Sequence, residues 1–350
     1  MHPLVKRILK PPYLVAIAIR NRVLFALLGS RLTASLGYGL LSNAFGREHM
    51  GVLYGRKKYR QNKMGLSGNS ATLRRNVHRL EKGISMPNRR KTFAMDYIEE
   101  TIEQYAKIVA YGNGDIEELK WAHDVLTRYF ELVSSSPIID RLAQKFRSIR
   151  YVTHGNSTNT PCPRGQRRES PVSYDAFLEL SHRRESVRWF LPNPVDRKLV
   201  DQALFAGIQA PSACNRQPFK FVFFDDPATI EEVANIPGGA SGFQTGIPLL
   251  AVVIGQLRSF EFERDRHLIY IDASLAIMGF LLALETLDLS SCTMNFSDVE
   301  AKERKLQKRL KLEIDERPIM LIAIGHPLPE GMVPHSAKKS LDTIRTWQSE

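Results

Sequence analysis

Residues 249–287, LLAVVIGQLRSFEFERDRHLIYIDASLAIMGFLLALETL, join two unlike apolar runs. The first, Leu249–Ile254, is short and entirely apolar, the pattern of a strand buried on both faces. The second opens at Asp272 and continues to about Leu287, too long for a strand. It is hydrophobic on most sides (Leu275, Ile277, Met278, Phe280, Leu281, Leu282, Leu284), which suits a helix sunk in a core or at a subunit interface. Outward from this pair, Phe219–Phe224 and Ile319–Ile324 read as further strands. Helices are expected over 173–182, after Pro194 with Asp196 in the first turn, and over 298–311. Short apolar strands interleaved with helices define an α+β fold, a sheet covered by helices on both faces.

Composition excludes several classes. At 350 residues, 43% hydrophobic and 25% charged, the chain is globular in character. Three cysteines (Cys162, Cys214, Cys292) are too few and too scattered for a disulfide framework, and a reducing, cytoplasmic compartment is expected. Both Cys214 and Cys292 are read as buried, inert thiols. The nine histidines are dispersed and form no metal pattern. No G-x-G-x-x-G follows a strand, and the glycine-rich Gly238–Gly242 lacks the P-loop lysine, so it is read as a loop.

The net charge of +12 is local. Residues 1–90 hold 18 Lys/Arg against Glu48 and Glu81, and the remaining 260 residues hold 31 against 35 acids. Nucleic acid is not expected as a partner, because no binding motif accompanies the charge. Residues 11–45 are apolar but broken by Arg20, Arg22 and Arg31, and the longest uncharged run, Leu32–Gly46, has 15 residues, short of a bilayer span. Residues 1–65 are therefore expected to form a basic, amphipathic segment that can lie on an anionic membrane as a peripheral contact, helped by Arg56, Lys57, Lys58, Arg60 and Lys63. Residues 66–150 are expected to be a helical region. Its first part, 65–91, is polar with turn signals, and His78 there reads as a surface or interdomain residue. Residues 151–171 form a Thr/Asn/Ser/Gly/Pro-rich linker, and 172–350 the catalytic-type domain.

Three clusters in that last domain carry chemistry. Arg183-Arg184-Glu185-Ser186-Val187-Arg188 offers guanidinium forks and a hydroxyl, the donors a phosphate needs. Ala210–Pro218 (APSACNRQP) is a loop braced by prolines and rich in amide and hydroxyl groups, suited to the edge of a heterocycle. Gly325-His326-Pro327 closes the last strand, and Lys338-Lys339 follows; His326 is read as structural.

In this order the clusters resemble the FMN-dependent nitroreductase family over about residues 175–345. The resemblance implies a sandwich with a central mixed sheet flanked by helices, here preceded by a mostly helical region. It implies a homodimer paired through the long helices, with two FMN sites each built from both chains. Arg184, Ser186 and Arg188 would grip the phosphate and ribityl chain. Pro211, Ser212, Ala213, Asn215 and Gln217 would meet the flavin edge. The stretch Thr293–Asn295, hence Met294 and Asn295, would bring a backbone N–H near the reactive nitrogen, and Lys338 or Lys339 would reach the phosphate. The implied activity is an oxidoreductase that takes hydride from NAD(P)H and reduces a second small molecule. No catalytic side chain and no metal are expected. A flavin-binding protein with little turnover, serving as a membrane-associated partner or sensor, is the alternative.

Overall fold

The computed structural model describes residues 3–63, 70–112, 114–151, 158–239 and 242–348. The N-terminal part is helical: α1 (Pro3–Ala26), α2 (Arg31–Leu41), α3 (Gly46–Lys63), α4 (Ala71–Ile84), α5 (Ile98–Tyr111), α6 (Ile116–Leu132) and α7 (Pro137–Arg147). The C-terminal part runs α8 (Tyr174–Arg183), α9 (Arg197–Gly207), β1 (Phe219–Phe224), α10 (Pro227–Ala234), β2 (Leu249–Gln256), α11 (Leu268–Glu285), β3 (Ser290–Asn295), α12 (Glu300–Leu310), β4 (Glu316–Gly325) and a last turn, α13 (Leu341–Ile344).

The all-apolar β2 occupies the middle of a four-stranded sheet ordered β1-β2-β4-β3. Successive side chains of a strand point to opposite faces, and β2 feeds two cores in alternation. Leu250, Val252 and Ile254 join Ile230 and Val233 of α10 and Leu306 of α12. Leu249, Ala251 and Val253 join Ala273, Ile277, Phe280 and Leu284 of α11 and Val200 and Ala203 of α9. Helices α9 and α11 touch backbone to backbone. A Cβ on Gly207 would lie 2.9 Å from the Ala276 carbonyl oxygen, so only glycine permits this approach.

The α+β reading holds, with three adjustments. Every strand pairs antiparallel, and the mixed character reduces to one parallel bridge, Ser186 to Ser291. β3 and α10 stand where no element was expected. The long helix begins at Leu268, so Asp272 sits inside it rather than opening it.

The polar stretch 65–91, read with turn signals inside the expected helical region, holds one full helix. Residues 71–84 form α4, whose Leu73, Val77 and Leu80, spaced i, i+4, i+7, are fully buried. Three apolar residues among arginines gave a weak sequence signal, and packing against α5 and α6 supplies the rest. Helices α4–α7 share one core around Ile98, Tyr105, Leu126 and Tyr129. Residues 152–157 of the expected linker and 64–69 before α4 lie outside the described residues.

Helix α3 is bolted to the C-terminal part. A Cβ on Gly55 would meet the Leu257 backbone at 2.9 Å. Arg47 pairs with Glu303, which also holds the fully buried Arg317 at 2.7 Å. Lys58 meets Glu313 at 2.8 Å, and Arg258 meets the same carboxylate at 2.7 Å. Two of the basic residues expected to face a membrane, Arg56 and Lys58, are thus ion-paired to the folded body, and Lys63 pairs with Glu100 at 2.6 Å.

Candidate functional site

The two main clusters sit at opposite ends of α11. At its C-terminal end, α8 stops at Arg183 and the chain becomes extended. Val187 N–H donates to Ser291 O (3.0 Å), Leu191 N–H donates to His326 O (2.9 Å), and Phe190 bridges Pro327. These bonds lay Arg184–Arg188 against the start of β3 and the end of β4. Arg183 is spent on Glu285 (3.6 Å) and Asp288 (3.5 Å). Arg184 and Arg188 make no ion pair among the described residues, although Arg188 Nη1 donates to the Ser186 carbonyl at 3.2 Å. Two guanidinium groups without ion-pair partners, four residues apart on an extended segment, offer the donors a phosphate requires, so the residues present fit that part of FMN. Burial pushes the Glu285 carboxyl up, with Ser290 and both Arg183 and Arg184 pulling it back, which keeps negative charge at this end in check.

At the other end, the loop 211–217 is fixed from within and from below. Asn215 N–H donates to Ser212 O (2.9 Å), Gln217 N–H donates to Ser212 Oγ (3.1 Å), and Gln217 Nε2 donates to Asn215 Oδ1 (3.1 Å). Ala213 N–H donates to the buried Asp272 carboxylate at 3.0 Å. Burial raises the Asp272 carboxyl, and the Ala213 amide and Arg216 draw it back. Cys214, Asn215 and Gln217 all adopt left-handed backbone (φ 52°, 51° and 49°), a costly run for non-glycine residues that the surrounding bonds hold in place. Cys214 is half-buried rather than buried, whereas Cys292 is buried in the core, where desolvation raises its thiol pKa.

Sequence reading missed the cover over this loop. From α4, Arg74 Nε donates to Asn215 O at 2.7 Å, and Arg74 pairs with Glu118 at 3.2 Å while stacking on Trp121. Trp121 Nε1 in turn donates to Glu81 (2.9 Å), whose carboxyl is raised by burial despite this bond and nearby His78. Nothing distinguishes Arg74 from its basic neighbours until α4 is packed. A cavity of about 980 Å³ lies between α3, α4, α6 and the loop, and reaches Asn215 and Gln217.

The remaining expected residues are spread out. Asn295 is exposed on the edge strand β3, while the Met294 side chain is in the core, leaving only its backbone available. Lys338 and Lys339 are exposed on an extended tail and join neither cluster. Pro211 is exposed, and Ser212 and Ala213 are half-buried. Helix α11 spans 18 residues, about 27 Å at 1.5 Å per residue, so one chain does not bring the arginines and the loop together.

The C-terminal part is thus an α+β domain that carries an arginine pair with no ion-pair partner among the described residues and a strained amide loop. The C-terminal half matches the model of the nitroreductase family over residues 182–240 and 235–326. This is a family of oxidoreductases, and the helices before residue 182 lie outside the match. Among curated proteins, the chain is 24% identical over 196 residues to iodotyrosine deiodinase 1 of Pongo abelii, covering 48% of this chain and 67% of that one. It is 28% identical over 202 residues to the iodotyrosine deiodinase of Haliscomenobacter hydrossis, covering 48% and 86%. An FMN-dependent nitroreductase from Clostridium difficile R20291 superposes with a TM-score of 0.42 at 20% identity, covering 49% of this chain and 99% of that one.

Proposed function

We propose that the chain is an FMN-dependent oxidoreductase that works as a homodimer with NAD(P)H as reductant. The observation that carries this reading is the pair of half-sites on α11 together with an unpartnered apolar stripe between them. Ile271, Leu275 and Met278 are 53%, 45% and 44% exposed at helical spacing, with Ser274 on the same exposed face, on a helix whose opposite face is buried. Antiparallel pairing of two such stripes would carry the loop of one chain to the arginines of the other. Arg184 and Arg188 would then hold the phosphate with Ser186 beside them, and Lys338 and Lys339 would reach it only if the exposed tail folded over. Pro211, Ser212, Ala213, Asn215 and Gln217 would meet the ring edge, and the backbone of Met294 and Asn295 would approach its reactive side. When bound, FMN would supply hydride transfer from NAD(P)H and onward reduction of a nitro, quinone or other unsaturated acceptor in a ping-pong cycle. The protein's own tasks are to grip the cofactor, hold a donor-acceptor edge rigid, and keep one face open.

The test is the visible spectrum of the purified protein with FMN, before and after anaerobic NADPH or NADH. Bound flavin that bleaches, and recovers on adding a nitroaromatic, a quinone or iodotyrosine, supports the reading; the last probe follows from the names of the curated relatives. Bound flavin that stays oxidised selects the alternative, a flavin-binding partner or sensor. No bound flavin would sink both.

We further propose that α1 and α2 rest on an anionic bilayer while α3 belongs to the enzyme body. Val15, Ile19 and Val23 on α1 and Leu32, Leu36 and Leu40 on α2 form two exposed stripes, and residues 1–47 contain no acid. Truncation after residue 45 should abolish sedimentation with phosphatidylglycerol vesicles and leave flavin content unchanged. Continued sedimentation of the truncated chain would refute the assignment.

A further inference from the structure

The cavity between the helical region and the loop draws half of its lining from residues outside the nitroreductase match, and its walls carry a particular chemistry. Six carboxamide side chains line it: Asn62, Asn159, Gln209, Asn215, Gln217 and Gln256. A carboxamide offers donor and acceptor side by side, the arrangement that pairs with adjacent hydroxyl groups. Asn62 is 5% exposed, and neither of its polar side-chain atoms has a hydrogen-bond partner among the described residues. Glu118, 9% exposed, uses Oε2 on Ser70 (2.8 Å) and Arg74 (3.2 Å), but its buried Oε1 has no partner. The buried Nε of Arg216 is likewise unpartnered. Buried polar atoms without partners cost free energy unless a ligand or water completes them.

The charges are already balanced within the wall. Four cations, Lys58, Arg74, Arg216 and Arg258, stand against four acids, Asp115, Glu117, Glu118 and Glu313; Lys58 and Arg258 share Glu313, and Arg74 pairs with Glu118. No excess of either sign remains to select an ion. Trp121 supplies an aromatic surface beside these polar groups. We infer that this cavity binds a polyhydroxylated, uncharged moiety that presents vicinal hydroxyls: Asn62 takes up a donor-acceptor pair, Glu118 Oε1 accepts a hydrogen bond from a hydroxyl, and Trp121 packs on the C–H face. Either a free saccharide or the ribose of a nucleotide carries this chemistry. The inference does not depend on flavin being bound.

Saturation-transfer NMR on the full chain tests it, with D-glucose, D-galactose, N-acetylglucosamine, sucrose and adenosine as probes. We expect transfer to the ring protons of at least one probe. Pyranose or furanose signals from the sugars mark a saccharide site; signals confined to adenosine mark a nucleotide ribose. Asn62→Ala and the conservative Glu118→Gln should each cut the transfer at least tenfold, whereas Trp347→Phe, on the distant tail, should not. Circular dichroism melts confirm that both variants are folded. Should Asn62→Ala misfold, Glu118→Gln carries the test alone. Absence of transfer to every probe, or transfer undiminished in a folded variant, overturns the proposal. Because the readout involves no hydride transfer, its outcome is separate from that of the reductase reading.

Discussion

The two ends of α11 are finished to different degrees. At the N-terminal end, the loop 211–217 is anchored by Asp272, cross-bonded within itself and roofed by Arg74 of α4. At the C-terminal end, Arg184 and Arg188 are half-buried along the sheet edge, with no counter-charge paired to them among the described residues. The loop's backbone is fixed by bonds within the chain, although Arg216 Nε beside it has no partner among the described residues, whereas the arginine pair leaves whole charges unspent. The contrast fits a loop preformed within one chain and, under the proposed function, an arginine pair that a cofactor would complete.

The sharpest way to break this comparison is to break the proposed dimer. Leu275→Arg with Met278→Arg places two charges on the exposed stripe. We expect a monomer by sedimentation velocity and loss of flavin by more than 100-fold in affinity. A monomer that still binds FMN normally would mean that one end suffices alone.

Next in size is Arg184→Ala with Arg188→Ala. Each charge-assisted bond to a phosphate contributes roughly 1.5–3 kcal/mol, so flavin fluorescence titration should show about a 10- to 100-fold weaker Kd per arginine. The melting temperature should hardly move, since neither side chain pairs with a carboxylate in the fold. An unchanged Kd would remove the phosphate assignment.

Asp272→Ala should act in the opposite manner, on structure first. It strands the Ala213 N–H and releases a strained loop, a cost of about 1–3 kcal/mol. Asp272→Asn keeps an acceptor and should cost less. If chemical denaturation finds the two variants equally stable, the carboxylate is not the anchor. Arg74→Ala then tests the roof. It leaves a buried Glu118 without its cation, and we expect a loss of about 1–2 kcal/mol together with altered KM for the acceptor. A KM unchanged in that variant would confine the roof to a structural role.

The smallest expected effect is on pH. The hydrogen bond from Lys58, with Arg258 beside it, lowers the Glu313 carboxyl to about 2 from an ordinary 4.5. A folded pKa below the unfolded one adds stability above about pH 4.5 that is lost as pH falls toward 2. Lys58→Gln should therefore flatten the acid limb of the stability curve between those values. An unaltered limb would show that this pair does not help hold α3.

Legibility in the sequence follows how local the cause is. The unbroken apolar run that buries β2 on both faces, Asp196 at the start of α9, and the length of the apolar stretch in α11 are written in neighbouring residues, and they point to the α+β fold without coordinates. The Arg-Ser-Arg and Pro-Ser-Asn-Gln clusters were equally visible, because such side-chain types in short runs point to a phosphate and a heterocycle edge whatever surrounds them. β3 was not visible: Ser290–Asn295 is half polar, and pairing with β4 makes it a strand. Nor was α4, whose three apolar residues gain meaning only against α5 and α6. The two motifs give no sign of standing about 27 Å apart, and neither Arg74 nor Asn62 differs in sequence from any surface residue. Hydrophobic period and side-chain chemistry act over a few residues, so the sequence alone determined the elements and their chemical character. Which polar groups are buried, left unpaired, or faced across a cavity depends on contacts between residues far apart in the chain, and only the tertiary structure decided those.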